Sequence, residues 1–259
     1  MQHWPQRERA RELLSKEVGY IRKPHGSKLR VALVFPNTYF VGMSNLGFQT
    51  VYKLFNAEDD IVCERAFLPP KTELAAQIAS GAPLLTLESQ TPVGDFDVVA
   101  FSVSFEWDYT NVLTLLRLAG LPLRAEARTH RHPLVIIGGA VTFVNPEPLA
   151  LFADAIAAGE GEVLIPSLLR AFQGASDRAD LLRRLATERG FYIPSFYDVQ
   201  YKDDGQGGVI TQQSFNSGVA MIDGLKPYAG NLLRNMGFTF VIKDNFDLAM
   251  QIIRNLVRR

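Results

Sequence analysis

Two short stretches carry backbone bare enough for a ligand to lie against. Gly138 and Gly139 follow the apolar run Leu134–Ile137, and a little further on Gly159-Glu160-Gly161-Glu162 pairs glycines with carboxylates. A glycine lets a bulky ligand approach the main chain, although the same pair after a strand serves equally well for tight strand–helix packing. Glu160 and Glu162 could accept from ligand hydroxyls or amides, or could only complement a helix dipole. Two further segments offer polar or aromatic groups. PNTYFVGM supplies Asn37, Tyr39 and Gly42, and FEWDY supplies Phe105, Trp107 and Tyr109, which either stack on a ring or close the core.

The elements that position these groups follow from periodicity. Lys28–Phe35 reads as a strand and Ser44–Asn56 as a helix. Ile61–Leu68 and Thr72–Ser80 repeat the unit, as do Asp97–Ser104 with Thr110–Ala119. Leu134–Ile137 is another buried strand, Glu147–Phe152 a short helix, Ala153–Ala157 an edge-like strand and Val163–Phe172 the next helix. Strands apolar on both faces, alternating with helices, predict an α/β fold with a doubly wound parallel sheet in the flavodoxin-like order 2-1-3-4-5. In such a sheet the loops after the strands line the ligand crevice, and they hold the four segments above.

Residues 1–26 read as a charged helical extension and 27–174 as the main domain. Residues 175–259 read as a small α+β appendage: a charged helix (Asp177–Arg189), a hairpin of GFYIPSFYDVQY with GGVITQQ, and a helix–strand–helix tail over Leu225–Arg259.

Composition narrows the chemistry. The chain has 259 residues, 27 Lys+Arg against 27 Asp+Glu, and 47% hydrophobic residues, so it can fold fully and has no electrostatic hold on nucleic acid or anionic lipid. Cys63 is the single cysteine, which excludes an intrachain disulfide and an iron–sulfur cluster built from this chain alone. No apolar run is long enough to span a bilayer and no signal-peptide core opens the sequence, so a cytoplasmic protein is expected. Phosphate-loop, dinucleotide and G-x-S-x-G motifs are absent. His130 and His132 precede a strand, at the end of the sheet away from the ligand loops, and read as a solvated loop.

Taken together, PNTYFVGMSNLGFQTVY, FSVSFEWDYTN and IIGGAVTFVNPEPLALFADAIAAGEGE resemble the N-terminal, cobalamin-binding-like domain of radical S-adenosylmethionine proteins, in a branch with NLG in its first helix. The resemblance covers roughly Ser27–Tyr201, and the GG…NPEP…D…GEGE string is its most specific part. In cobalamin-binding folds a D-x-H-x-x-G loop brings histidine to the cobalt, and a serine motif and a GG pair line the slot for the nucleotide tail. Here Asn37, Tyr39 and Gly42 hold the first three places, Ser102 and Ser104 the second motif, and Gly138 and Gly139 the third. Thr142, Glu160 and Gly161 complete the cofactor-binding set that the resemblance implies.

A phenol cannot replace imidazole as a neutral nitrogen donor, so the resemblance implies cobalamin without a histidine axial ligand, or a fold that has lost the cofactor. Relatives continue into a barrel with a three-cysteine cluster motif, which this sequence does not carry. No catalytic centre is expected in this chain. The readings are a binding module not catalytic alone, one half of a radical enzyme assembled with a barrel chain in trans, or a structural domain with an empty slot. A split or truncated reading frame, an excised domain and a stand-alone accessory all fit the sequence.

Overall fold

A computed structural model describes residues 4–202 and 209–215 of the chain. The tail over 225–259 and the turn at 203–208 lie outside the described residues. Trp4–Ser15 forms α1, and the chain then enters β1 (Leu29–Phe35), whose β-branched and apolar residues suit a strand covered on both faces. A short helix α2 (Tyr39–Met43) precedes α3 (Leu46–Ala57), β2 (Ile61–Phe67) and α4 (Lys71–Ser80). Helix α3 begins where the Asn45 side chain accepts from the Phe48 amide at 2.9 Å. Helix α4 stops at Gly81, whose φ of 65° continues into the left-handed region.

Next come β3 (Val98–Ser102), α5 (Tyr109–Leu118) and β4 (Leu134–Gly138). Two one-turn helices, α6 (Val141–Val144) and α7 (Glu147–Ala150), lead to β5 (Ala155–Ala157). Then follow α8 (Gly161–Gly174), α9 (Arg178–Thr187, capped by Asp177) and β6 (Phe191–Tyr192). Strands β7 (Tyr197–Lys202) and β8 (Val209–Phe215) pair antiparallel as a separate hairpin. No helix among the described residues is long and apolar enough to cross a membrane.

The main sheet runs β2-β1-β3-β4-β5-β6, with the first five strands parallel. This is the expected order with one addition: β6 pairs antiparallel with β5, Ile156 opposite Tyr192 and Ala157 opposite Phe191. Ala153–Ala157 is therefore not an edge. A three-residue strand offers little apolar surface, and the two aromatic residues of β6, buried at 4% and 2% exposure, supply it. The sequence hid this because the aromatic alternation runs on past Pro194, where a single helical turn separates β6 from the hairpin.

The alternating pleat divides the core into two layers. Val99, Phe101, Val135, Ile137 and Ile156 point to the face covered by α5 and α7, where Leu113, Leu116 and Leu149 pack. Val98, Ala100, Leu134, Ile136 and Ala155 point to the other face, covered by α3, α8 and α9 through Phe48, Phe55, Leu168 and Leu185. Helix α9 and strand β6, grouped with the appendage by sequence, thus contribute to the same core as the parallel strands.

Candidate functional site

Along the α3/α8 face the side chains shrink toward the carboxyl ends of the strands: Val98, Ala100, Ser102 on β3 and Leu134, Ile136, Gly138 on β4. Ser102 and Gly138 are register partners, so the smallest residues lie side by side at the top of the sheet. The helices after β3 and β4 lie on the opposite face, and of the helices that cover this one only α3 and α8 reach the carboxyl ends of β3 and β4. The result is a cavity of 420 Å³ over β3 and β4, at the point where the strand order reverses between β1 and β3. A small-molecule site typically measures about 300–1,000 Å³.

Six of the expected residues line this slot: Ser102, Ser104, Gly138, Gly139, Glu160 and Gly161. Its walls include Val51 and Leu54 of α3, Leu164, Ile165 and Leu168 of α8, and Phe143 beside the mouth. Asn45 spans two of the loops. Its amide nitrogen donates to Ser104 Oγ at 3.1 Å while its oxygen caps α3, which fixes the β3 loop against the start of that helix.

The glycines divide by physical role. A Cβ at Gly138 would stand 3.5 Å from the Ala157 carbonyl, an ordinary contact, so this glycine is not required by backbone packing and its bareness keeps the slot open. Gly139 has φ of 100°, and a Cβ there would fall 2.5 Å from the Val103 carbonyl oxygen. It is a backbone necessity. Gly161 brings α8 onto α3, since its Cβ would meet Leu54 Cδ1 at 3.0 Å.

The other four expected residues stand outside the slot lining. Thr142 is fully buried and its hydroxyl donates to the Gly139 carbonyl at 2.8 Å, holding the glycine turn from below. Asn37 donates to Asp108 Oδ1 at 3.0 Å, and Asn111 joins the same oxygen at 3.2 Å while donating to the Pro36 carbonyl at 2.9 Å. That cluster ties the β1 loop to the β3 loop. Gly42 lets α2 sit on Phe67 and Phe35, which a Cβ would reach at 2.5 and 3.1 Å. Tyr39 packs edge-on against Phe67 and donates its hydroxyl to Glu17 Oε1 at 2.7 Å. Burial and that carboxylate push its phenol up to about 12.

Tyr39 belongs to a second polar region, along β2, that spacing arguments did not find. Arg65 is 2% exposed; its Nε donates to Glu88 Oε1 at 2.6 Å and its Nη2 to Glu17 Oε2 at 2.8 Å, and its guanidinium lies 4.6 Å from the Tyr52 ring centroid. Burial works against the charge, but Glu88 and Glu17 outweigh it and raise the guanidinium above its ordinary value. Asn56 bonds the outward N–H and C=O of Cys63 at 3.1 and 3.0 Å, and Leu87 and Glu88 take those of Arg65. The free edge of β2 is thereby closed to strand addition. The only sequence signal was a pair of adjacent charged residues, Glu64 and Arg65, among apolar neighbours within a strand.

FEWDY splits: Tyr109 is buried and donates to the Asn145 carbonyl at 2.6 Å, whereas Phe105 and Trp107 are 55% and 79% exposed. Phe40 in α2, Leu46 at the start of α3 and Phe143 in α6 are exposed at the same edge, in the helices that follow β1 and β4. The cysteine thiol of Cys63 is buried and pushed well up by desolvation, which makes it inert. His130 and His132 fall in the loop before β4, and among the described residues no cluster of His, Cys, Asp and Glu is placed to hold a metal ion.

A family model described as radical SAM proteins, N-terminal, matches residues 47–194, more than half of the chain. The chain belongs to that family. No curated protein and no solved structure gives a significant match. The match to the radical SAM N-terminal family begins at Gly47, so it takes in α3, β3, β4 and α8, the walls and floor of the slot. Asn37, Tyr39 and Gly42 fall before it.

Proposed function

We propose that the chain is a cofactor-binding module of a radical SAM protein, receiving a flat ring system in the slot over β3 and β4, with the nucleotide tail of a cobalamin as the favoured occupant. The observation that carries this reading is the tapering floor: Ala100, Ser102 and Gly138 leave room where a packed core would hold branched side chains. The set expected to hold the ligand is Ser102, Ser104, Gly138, Glu160 and Gly161, with Asn45 and Thr50 added from α3.

The fit is partial in an informative way. The slot has the size and polarity for a tail, but Tyr39, at the histidine's place in the motif, is committed to Glu17 and packs on Phe67 away from the slot lining. The corrinoid would therefore be held by its tail and periphery, with no protein ligand from the β1 loop. Bound there, it would supply a cobalt centre suited to passing on a one-carbon group. The chain's own part is to bury the tail, orient the ring through the two serines and exclude water.

Phe40, Leu46, Phe105, Trp107, Phe143, Val144 and Val163 are all at least 52% exposed, and all follow the carboxyl ends of parallel strands. Apolar groups crowded at one edge favour its facing another protein surface. A barrel carrying the three-cysteine cluster, in the same assembly or as a separate chain, is the partner this reading assigns to that edge, and the module is not catalytic alone.

The test is a titration with hydroxocobalamin followed by visible absorbance and by thermal unfolding. A binder at ligand concentrations about a hundredfold over Kd gains about 2.7 kcal/mol. No band shift and no stabilisation would sink the cofactor reading and leave the interaction surface as the module's role, to be tested by complex formation with a cluster-bearing radical SAM chain.

A further inference from the structure

The slot has a charge character that its occupant must match. Among its lining residues there is no Lys, Arg or His, while Glu160 and Glu162 stand exposed at the α8 end. Among the described residues neither carboxylate has an ion pair, and Glu160, the cap residue of α8, makes no side-chain capping bond. The surrounding strand-end loops, 36–45, 103–108, 139–146 and 158–162, carry only acidic residues among their charged groups, although the whole chain is balanced.

Two helix N-termini, those of α3 and α8, flank the slot and would ordinarily favour an anion. Each amounts to about half a positive charge, and together they offset only one of the two carboxylates. The remaining field is negative, and apolar walls strengthen it. The flanks also differ. The first turn of α3 contains no acidic residue, and its start presents Asn45 and Thr50, whereas the first turn of α8 bears Glu162, two residues after the cap Glu160.

We infer that the slot selects flat rings without negative charge, and that Glu160 and Glu162 favour a ring that is cationic or turns an N–H toward α8. This rests on the reading that the slot takes a ring at all, not on the ring belonging to a cobalamin. Free nucleotides and flavin phosphates, whose terminal phosphate carries about −1.5 to −2 charge, are disfavoured by the same field more than a cobalamin tail with its singly charged phosphodiester, while uncharged or cationic heteroaromatics of similar shape are accepted.

Matched pairs isolate the charge. Riboflavin and FMN share one ring, and 1-methylbenzimidazole and 1,3-dimethylbenzimidazolium share another. Fluorescence and calorimetric titrations of the whole chain at low salt should give FMN about tenfold weaker than riboflavin, with the gap narrowing as salt rises, and the benzimidazolium tighter than its neutral partner. In the double variant Glu160→Gln/Glu162→Gln, checked by an unchanged melting curve, both gaps should close. Equal affinity of riboflavin and FMN in the unaltered chain, or gaps that persist in the double variant, would overturn the inference, as would the binding of no ring. Hydroxocobalamin is titrated separately. Its failure beside an intact riboflavin preference removes only the cobalamin reading, and cobalamin binding beside equal riboflavin and FMN removes only this one.

Discussion

The top of β3 and β4 and the edge of β2 lie in one sheet and could hardly be more different. Along β2 the buried Arg65 guanidinium and Glu88 are locked to the half-buried Glu17 and Tyr39 phenol, and the buried Asn56 amide is taken up by the strand backbone. Over β3 and β4 there are serines, glycines and an alanine around open space. The side chains richest in chemistry are spent on closing a sheet edge, and the plain ones make the site. A buried polar group with all partners in place has little left to offer a ligand, whereas a missing side chain leaves shape and bare backbone. Substitutions that act on one region and spare the other test this division.

The largest effect is expected in the closed region. Arg65→Met removes the cation between Glu88 and Glu17 and leaves the Glu88 side chain, 0% exposed, with an unpaired charge. Losing one partner of a buried pair costs about 3–5 kcal/mol. Urea unfolding should show that loss in midpoint, and any preparation that still folds should retain slot binding, since Arg65 does not line the slot. Next is Gly139→Ala, which forces a Cβ against the Val103 carbonyl at a φ of 100°. Strain of that kind costs about 1–3 kcal/mol, and the same unfolding measurement checks it. Equal stability to the parent would mean that the turn after β4 can rearrange and that Gly139 is bare for the ligand's sake.

Asp108 lies at the join between the loops. Its Oδ1 receives Asn37 and Asn111, its Oδ2 is buried without a partner, and burial raises its carboxyl above the usual 3.8 despite those two bonds. The folded chain therefore holds this proton to higher pH than the unfolded chain. The contribution is fully present below the unfolded value and is lost as pH rises through the folded one. Asp108→Asn keeps an acceptor for both amides and removes the titration. It should stabilise by about 1 kcal/mol at neutral pH and by much less at about pH 3.5. A difference of the same size at both pH values would show that the carboxyl does not titrate with folding.

How much of this was legible in the sequence differs between the two regions. The order of the parallel strands could be read from repeated apolar runs, because a strand covered on both faces has a pattern of its own. Strand β6 could not: two residues joined to a following aromatic stretch carry no period. In the slot, Gly138 stood out through glycine pairing and Ser102 through the family resemblance alone, yet the taper Val98, Ala100, Ser102 is visible only once the register with β4 is known. Tyr39 shows the limit of motif spacing. Spacing placed it at the slot, but side-chain direction is decided by partners, and Glu17 is distant in sequence and unmarked by any motif. The ionic cluster of β2 was illegible because its members come from three separate segments.

The smallest change in stability should come with the largest change in binding, at Gly138. Its backbone is outside the left-handed region, and a Cβ would touch the Ala157 carbonyl only at ordinary contact distance. Gly138→Val thus exchanges the most flexible residue for a good strand former. It should shift stability by less than about 1 kcal/mol, in the stabilising direction. The added methyls project from the floor beside Ser102, into the volume a ring would fill. Retained uptake of hydroxocobalamin or riboflavin by a stable Gly138→Val chain would place the ligand elsewhere. Loss of uptake at unchanged stability would separate Gly138 from its neighbour Gly139, one glycine left bare for a ligand and the next required by the turn.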